Sequence, residues 1–185
     1  ENLLRRKLPD DVLRKLDSDT DTIIDYLQDP TENYSWDRRG LVMGHVQSGK
    51  TQNYTGVICK AADAGYKVII VIAGLTNNLR KQTQERIDEG FISTSLSNKK
   101  SPASFTTTKS DFDGHKANGI DIKFGAMSVP AVFVVKKNSK MLASVLEHIK
   151  TRNLENTNKK EGKISDPLLI IDDEADSASL NALID

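Results

Sequence analysis

The chain has 185 residues with 26 Lys+Arg and 26 Asp+Glu, so its formal net charge is zero. A chain of this length can bury the core of one compact domain, and its 37% hydrophobic and 28% charged residues are a globular balance. No run of about 18 apolar residues is present, which predicts that nothing spans a membrane. The single cysteine, Cys59, excludes an internal disulfide, and the sequence predicts a cytoplasmic protein.

The zero net charge conceals a segregation of charge along the chain. Residues 91–165 carry 13 basic and 6 acidic side chains, whereas residues 166–185 carry 6 acidic and no basic ones. The basic segment could neutralise a nucleic-acid backbone without reading bases, or it could be an ordinary solvated insertion. Its candidate lysines are Lys99, Lys100, Lys109, Lys116, Lys123, Lys136 and Lys137.

The first 30 residues have the pattern of a helical extension. Leucines, isoleucines and a valine recur every three or four residues over 1–29, and Asp29 and Pro30 mark the end of the pattern. We therefore divide the chain into an extension at 1–30 and one domain at 31–185. In the polar loop that follows, Tyr34 and Trp36 either pack on a sheet edge or stack on an adenine base.

Strands and helices alternate through the rest of the chain. Continuous β-branched runs predict strands buried on both faces, and glycines and capping residues delimit the helices between them. The predicted strands are Leu41–Met43, Val68–Ala73, Ala131–Val135 and Leu168–Ile171; the predicted helices are Lys50–Ala64, Thr76–Glu89 and one from Asn138 through Lys150. This order indicates an α/β fold with a parallel sheet between two layers of helices. Two polar stretches, 91–119 and 151–166, interrupt it.

A phosphate-binding motif lies between the first predicted strand and the following helix. Its eight residues fit GxxxxGK[ST]: Gly44, His45, Val46, Gln47, Ser48, Gly49, Lys50 and Thr51. In such a loop the glycines let backbone N–H groups face an anion, Lys50 reaches the terminal phosphates, and Thr51 offers a hydroxyl to Mg²⁺. The motif predicts ATP and Mg²⁺ as cofactors, with His45 either a spacer or a base.

The acidic end of the chain supplies the complementary chemistry. Four aliphatic residues lead directly into Asp172, Asp173 and Glu174, which predicts carboxylates at the tip of a buried strand. A phosphate loop needs such an acid to hold the metal and a second group to orient the attacking water. We expect Asp173 to hold the metal together with Thr51 and Glu174 to activate water, while Asp172 stays an alternative metal ligand.

The acidic residues also resemble a family motif. Asp173, Glu174, Ala175 and Asp176 spell the DEAD box of superfamily II helicases, downstream of a phosphate loop as in those proteins. Residues 73–82 resemble the helicase segment that grips the nucleic-acid backbone, with Thr76, Leu79 and Gln82 matching. Most of residues 36–180 resemble the helicase-like ATPase region of bacterial Z-one domain proteins, which are described as endonucleases.

The resemblance implies a RecA-like ATPase lobe belonging to a larger protein that acts on DNA in restriction or defence. It implies that a second RecA-like lobe supplies an arginine, so that this chain alone would bind ATP and turn it over slowly. Two alternatives stay open. One is an endonuclease whose cleavage chemistry lies outside this chain, and the other is a nucleotide switch without motor activity.

Overall fold

The computed structural model describes residues 9–44, 49–93, 101–117, 124, 127–151 and 166–176. The helices are α1 Asp10–Tyr26, α2 Lys50–Ala64, α3 Asn77–Ile87, α4 Gly114–Ala117 and α5 Ser139–Thr151; a π-helical turn, Asp88–Ile92, follows α3. The strands are β1 Val68–Ala73, β2 Ala103–Ser104, β3 Ala131–Lys136 and β4 Leu168–Asp173. Among these described residues, no helix is long and apolar enough to cross a membrane.

The four strands form one parallel sheet in the order β2-β3-β1-β4. β1 is central, with Val68 level with Ala131 of β3 on one side and with Leu168 of β4 on the other. Parallel strands end at the same edge of a sheet, so the residues that follow β1, β3 and β4 lie side by side. The α/β class predicted from the sequence is confirmed.

Helices cover the sheet on both faces. Successive strand residues point to opposite sides, so the continuous apolar strands give each face an apolar surface to bury. On one face, Ile69, Val71 and Leu169 pack with residues of α2, including Val57 and Ile58. The other face carries Val68, Ile70 and Phe133 and packs against α5. The second cluster also contains Phe105, Phe112 and Phe124, which come from a stretch that the sequence pattern does not assign to any element.

The helix α1 packs against α2 at a close crossing. A Cβ built on Gly56 of α2 would lie 3.0 Å from Thr20 Cγ2, so the two backbones approach closely at this point. Lys60 of α2 pairs with Asp17 and Asp21 on α1. The helical pattern predicted for the first residues is thus present over Asp10–Tyr26, while the division of the chain at residue 30 stays a prediction.

Several predictions about the elements and their bounds are wrong. Leu41–Met43 is not a strand: these residues are exposed and pair with none of the described strands, and a strand exists only through hydrogen bonds to a neighbour. Gly90 does not end the helix before it, because the chain continues as the π-helical turn that buries Phe91. A Cβ at Gly90 would lie 2.6 Å from Thr55 Cγ2, so close packing requires glycine there. Finally, the 91–119 stretch is interrupted by β2 and α4.

Candidate functional site

The helix α2 begins where the phosphate-binding motif predicts it. Gly49 has φ +77°, the left-handed conformation that glycine adopts without strain, and α2 starts at the next residue, Lys50. Gly44 is exposed, whereas four residues of the motif, His45, Val46, Gln47 and Ser48, lie outside the described residues. Lys50 and Thr51 therefore stand at the amino end of α2, where the helix dipole and free N–H groups favour an anion.

The strand β4 delivers the acidic residues to the same edge of the sheet. β4 is two residues longer than predicted and ends with Asp172 and Asp173, whose side chains must point to opposite faces because strand residues alternate. Asp173 Oδ2 accepts a hydrogen bond from Tyr54 Oη of α2 at 3.1 Å. Asp172 Oδ2 instead lies 3.0 Å from Lys137 Nζ. The two candidate metal ligands thus have different neighbours, and only Asp173 faces α2.

A cavity of about 240 Å³ joins the motif to the acidic residues. It lies between the amino end of α2, one side of α3 and the carboxyl ends of β1 and β4. We call it the Lys50–Asp173 cavity. Its lining residues are Lys50, Thr51, Gly74, Leu79, Gln82, Thr83, Arg86, Asp173 and Glu174. The structure therefore brings together Lys50, Thr51, Asp173 and Glu174, although the motif and the acids are far apart in the sequence.

Tyr54 is a site residue that the sequence analysis missed. It is buried, and burial together with the charge of Asp173 raises its pKa to about 12, so its hydroxyl stays protonated near neutral pH. A protonated hydroxyl can donate to the Asp173 carboxylate without competing for its charge. A helical signal was available, since Tyr54 follows Lys50 by one helical turn and so shares its face. Tyr54 thus orients the acid from the helix that carries the motif.

Arg86 is a second residue that the sequence analysis missed. Its Nη1 donates a hydrogen bond of 2.7 Å to Thr51 Oγ1, from α3 to α2. No motif marks this arginine, because its position depends on how α3 packs beside α2. The cavity therefore holds two cationic side chains, Lys50 and Arg86, opposite Asp173 and Glu174.

The helicase-like segment 73–82 divides between the cavity and the surface. Thr76 caps α3, and its Oγ1 accepts a hydrogen bond from Leu79 N at 3.3 Å. Leu79 and Gln82, which match the helicase pattern, line the Lys50–Asp173 cavity. The exposed residues of the segment are Leu75, Thr76, Asn77, Asn78, Lys81 and Gln82, so a partner could contact it at the start of α3 and along its outer side.

Trp36 lies away from the cavity. Its ring packs edge-to-face on Tyr66, with centroids 5.9 Å apart, just beyond the carboxyl end of α2. Lys50 is at the amino end of the same 15-residue helix, about 22 Å away at 1.5 Å per residue. Tyr34 is exposed and its hydroxyl accepts a hydrogen bond from Gln28. The structure thus has Trp36 in the packing role that the sequence left as one of two alternatives.

The basic segment is only partly described. Lys109 and Lys116 are exposed, Lys136 is partly buried, and Lys137 is engaged by the acidic end of the chain. The predicted lysines Lys99, Lys100 and Lys123 lie outside the described residues.

No family model matches the chain, and neither a curated protein nor a solved structure shows significant similarity to it.

Proposed function

We propose that this chain is the ATP-binding and hydrolysing lobe of a helicase- or translocase-like protein with a RecA-like P-loop fold, acting in the cytoplasm. One observation carries the proposal: the cavity that joins Lys50 and Thr51 to Asp173 and Glu174. The sequence pattern alone indicates a role in phosphoryl transfer for each of these residues. They meet at the carboxyl edge of the parallel sheet, which is the edge at which α/β proteins bind ligands.

The donor set of the cavity fits a magnesium ion. Mg²⁺ prefers oxygen ligands and is usually held by one or two carboxylates together with substrate phosphates. Thr51 and Asp173 both line the cavity, and the Tyr54 hydroxyl donates a hydrogen bond to the Asp173 carboxylate. When bound, the metal would neutralise charge on the phosphates. Asp172 does not fit this role as well, because Lys137 already engages its carboxylate.

The remaining roles belong to the side chains of the chain itself. Lys50, at the positive end of α2, would bind the terminal phosphates and stabilise the charge that develops as the bond breaks. Glu174 would accept a proton from the attacking water, since its carboxylate lines the same cavity. We further propose that a second lobe contributes an arginine, which in such enzymes is worth about 10³–10⁵ in rate.

Nucleic acid, in particular DNA, is the proposed partner of the sheet edge. The amino ends of α3 and α5 follow the neighbouring strands β1 and β3, so they open on the same side of the sheet. Asn77, Asn78, Ser139 and Lys140 are exposed there, and helix amino ends bind phosphate oxygens. Such contacts read no bases, so we expect binding that weakens steeply with salt and depends little on sequence.

Nucleotide titration of matched variants tests the proposal. Lys50→Ala should abolish binding of a fluorescent ATP analogue, whereas Glu174→Gln should retain binding and block hydrolysis. Lys67→Ala is the control, because Lys67 precedes β1 at the opposite edge of the sheet and should bind as the wild type does. Unchanged ATP affinity in Lys50→Ala would overturn the assignment. Hydrolysis should be slow in this chain and should require Mg²⁺.

A further inference from the structure

Lys137 occupies a bridging position at the carboxyl edge of the sheet. It directly follows β3, yet its Nζ lies 3.0 Å from Asp172 Oδ2 on β4 and donates to the backbone oxygen of Glu174, also at 3.0 Å. β1 lies between these two strands, whose axes are about 9–10 Å apart, so Lys137 and its acceptors together bridge the end of β1. The backbone N–H of Lys137 donates a hydrogen bond of 3.0 Å to the backbone oxygen of Gly74, the residue that directly follows β1. One residue thus ties together the ends of three strands.

The turn that Lys137 holds has an unusual backbone. Glu174 has φ +73°, and it is the one residue other than glycine with positive φ in the described part of the chain. A glutamate avoids this left-handed conformation unless its surroundings impose it. Gly74 adds a second constraint, because a Cβ there would lie 3.2 Å from Glu174 Oε2 and 2.5 Å from Leu79 Cδ1. Glycine therefore leaves room for the Glu174 side chain beside the cavity.

We propose that Lys137 is a positioning residue for Glu174, which it holds in the left-handed conformation that directs the carboxylate into the Lys50–Asp173 cavity. The hydrogen bond to the Glu174 oxygen fixes the peptide after the strained residue, and the ion pair with the Asp172 carboxylate anchors the same lysine to the end of β4. Lys137 touches neither Lys50 nor Thr51 among the described contacts, so it acts through Glu174. This inference rests on the proposed function, in which Glu174 activates water.

A purely electrostatic role for Lys137 is the competing explanation. The Lys137 side chain is 16% exposed and that of Asp172 35% exposed, so removal of the lysine would leave a partly buried carboxylate without its partner. The two explanations differ in what a double variant should do. Lys137→Met with Asp172→Asn removes the unpaired charge but does not restore the hydrogen bond to Glu174 O.

Four variants of the chain separate these roles: Lys137→Met, Lys137→Arg, the double variant Lys137→Met/Asp172→Asn, and the control Lys136→Met. Lys136 is the matched control because it is the preceding lysine and ends β3. Affinity for an ATP analogue is measured by titration, and hydrolysis is measured in single turnover with protein in excess. Hydrogen exchange of a peptide covering residues 166–176 reports on the turn independently of nucleotide.

Lys137→Met should slow hydrolysis at least tenfold with ATP affinity within about threefold of wild type, and should speed exchange at residues 173–176. Lys137→Arg should recover part of the rate, whereas the double variant should recover stability but not rate. Recovery of rate in the double variant, or unchanged exchange in Lys137→Met, would overturn the inference. If the wild type neither binds nor hydrolyses ATP, the proposed function fails, and the exchange measurement still decides whether Lys137 holds the turn.

Discussion

Arg86 Nη1 donates a hydrogen bond of 2.7 Å to Thr51 Oγ1 and so links α3 to the first turn of α2. The acceptor is the hydroxyl that we assign to Mg²⁺. A guanidinium is charged at every accessible pH, and a divalent ion on the same oxygen would be repelled by it. In the conformation seen here, the arginine would therefore compete with the proposed metal for Thr51. A bound nucleotide would resolve this competition, because its phosphates offer Arg86 another acceptor.

Removal of Arg86 should make the site bind metal without nucleotide. We expect Arg86→Ala to bind Mn²⁺ roughly tenfold more tightly than the wild type in the absence of ATP, since the competing charge is gone. Titration followed by electron paramagnetic resonance measures this affinity. Adding Thr51→Ala to the variant should cancel the gain, and Lys81→Ala, an exposed change on the same helix, should not alter it. Equal Mn²⁺ affinity in wild type and Arg86→Ala would contradict the competition.

The buried pair of Arg80 and Asp111 should dominate the stability of the region beside α3. Arg80 is 3% exposed, and its Nε lies 4.0 Å from Asp111 Oδ2. Its Nη2 donates to Thr108 O, while Nε and Nη1 have no hydrogen-bond partner in the described part of the chain. Asp111→Asn leaves a buried cation without its counter-charge, so we expect it to lower the free energy of unfolding by about 3 kcal/mol.

The double variant Arg80→Met/Asp111→Asn should restore most of that loss, because no buried charge remains unpaired. Urea denaturation measures each free energy of unfolding. The exposed pair of Lys81 and Glu85 on α3 is the control, and Lys81→Met should cost less than about 1 kcal/mol. A double variant as unstable as Asp111→Asn would show that the pair is not what stabilises this region.

Cys59 should make the protein sensitive to alkaline pH. Burial raises the pKa of its thiol to about 11, above its usual value of 9.0. A raised pKa in the folded state favours the neutral thiol, so this stability is fully present below pH 9 and is lost as pH rises through about 11. The loss should approach about 3 kcal/mol. Denaturation at a series of pH values should show a smaller alkaline loss of stability in Cys59→Ala, because the thiol is absent. Some loss should remain, because Tyr54 and Tyr66 still titrate with raised pKa values.

Much of the fold could be predicted because its signals are local. Val68–Ala73 is a strand with the predicted bounds, since five consecutive β-branched residues followed by alanine are typical of a strand buried on both faces. The helix Lys50–Ala64 also has its predicted bounds, because glycines at 49 and 65 mark both ends. By contrast, Phe105, Phe112 and Phe124 lie among Ser, Thr and Lys, so composition conceals that they form core.

The candidate site divides in the same way. The meeting of Lys50 with Asp173 follows from the rule that parallel strands end at one edge, together with a recognisable motif. Helical spacing indicates that Tyr54 shares the face of Lys50, but its contact with Asp173 could not be predicted. The same holds for the contacts of Arg86 and Lys137, because each joins side chains of different elements. Lys137 also explains part of the charge segregation seen in the sequence, since it joins the basic segment to the acidic end through Asp172.

Trp36 offers a test of the distance between the aromatic loop and the cavity. It is the single tryptophan of the chain, and its ring contacts Tyr66, whose hydroxyl donates to Gln28 O at 2.7 Å. Because α2 separates this contact from Lys50 by about 22 Å, saturating ATP and Mg²⁺ should leave the intensity and wavelength of Trp36 emission unchanged. Tyr66→Ala should shift the emission to longer wavelength by exposing the indole to water. If ATP instead quenched the Trp36 emission with the same midpoint as nucleotide binding, Trp36 would contact the adenine base. The loop that carries Trp36 would then have to move when nucleotide binds.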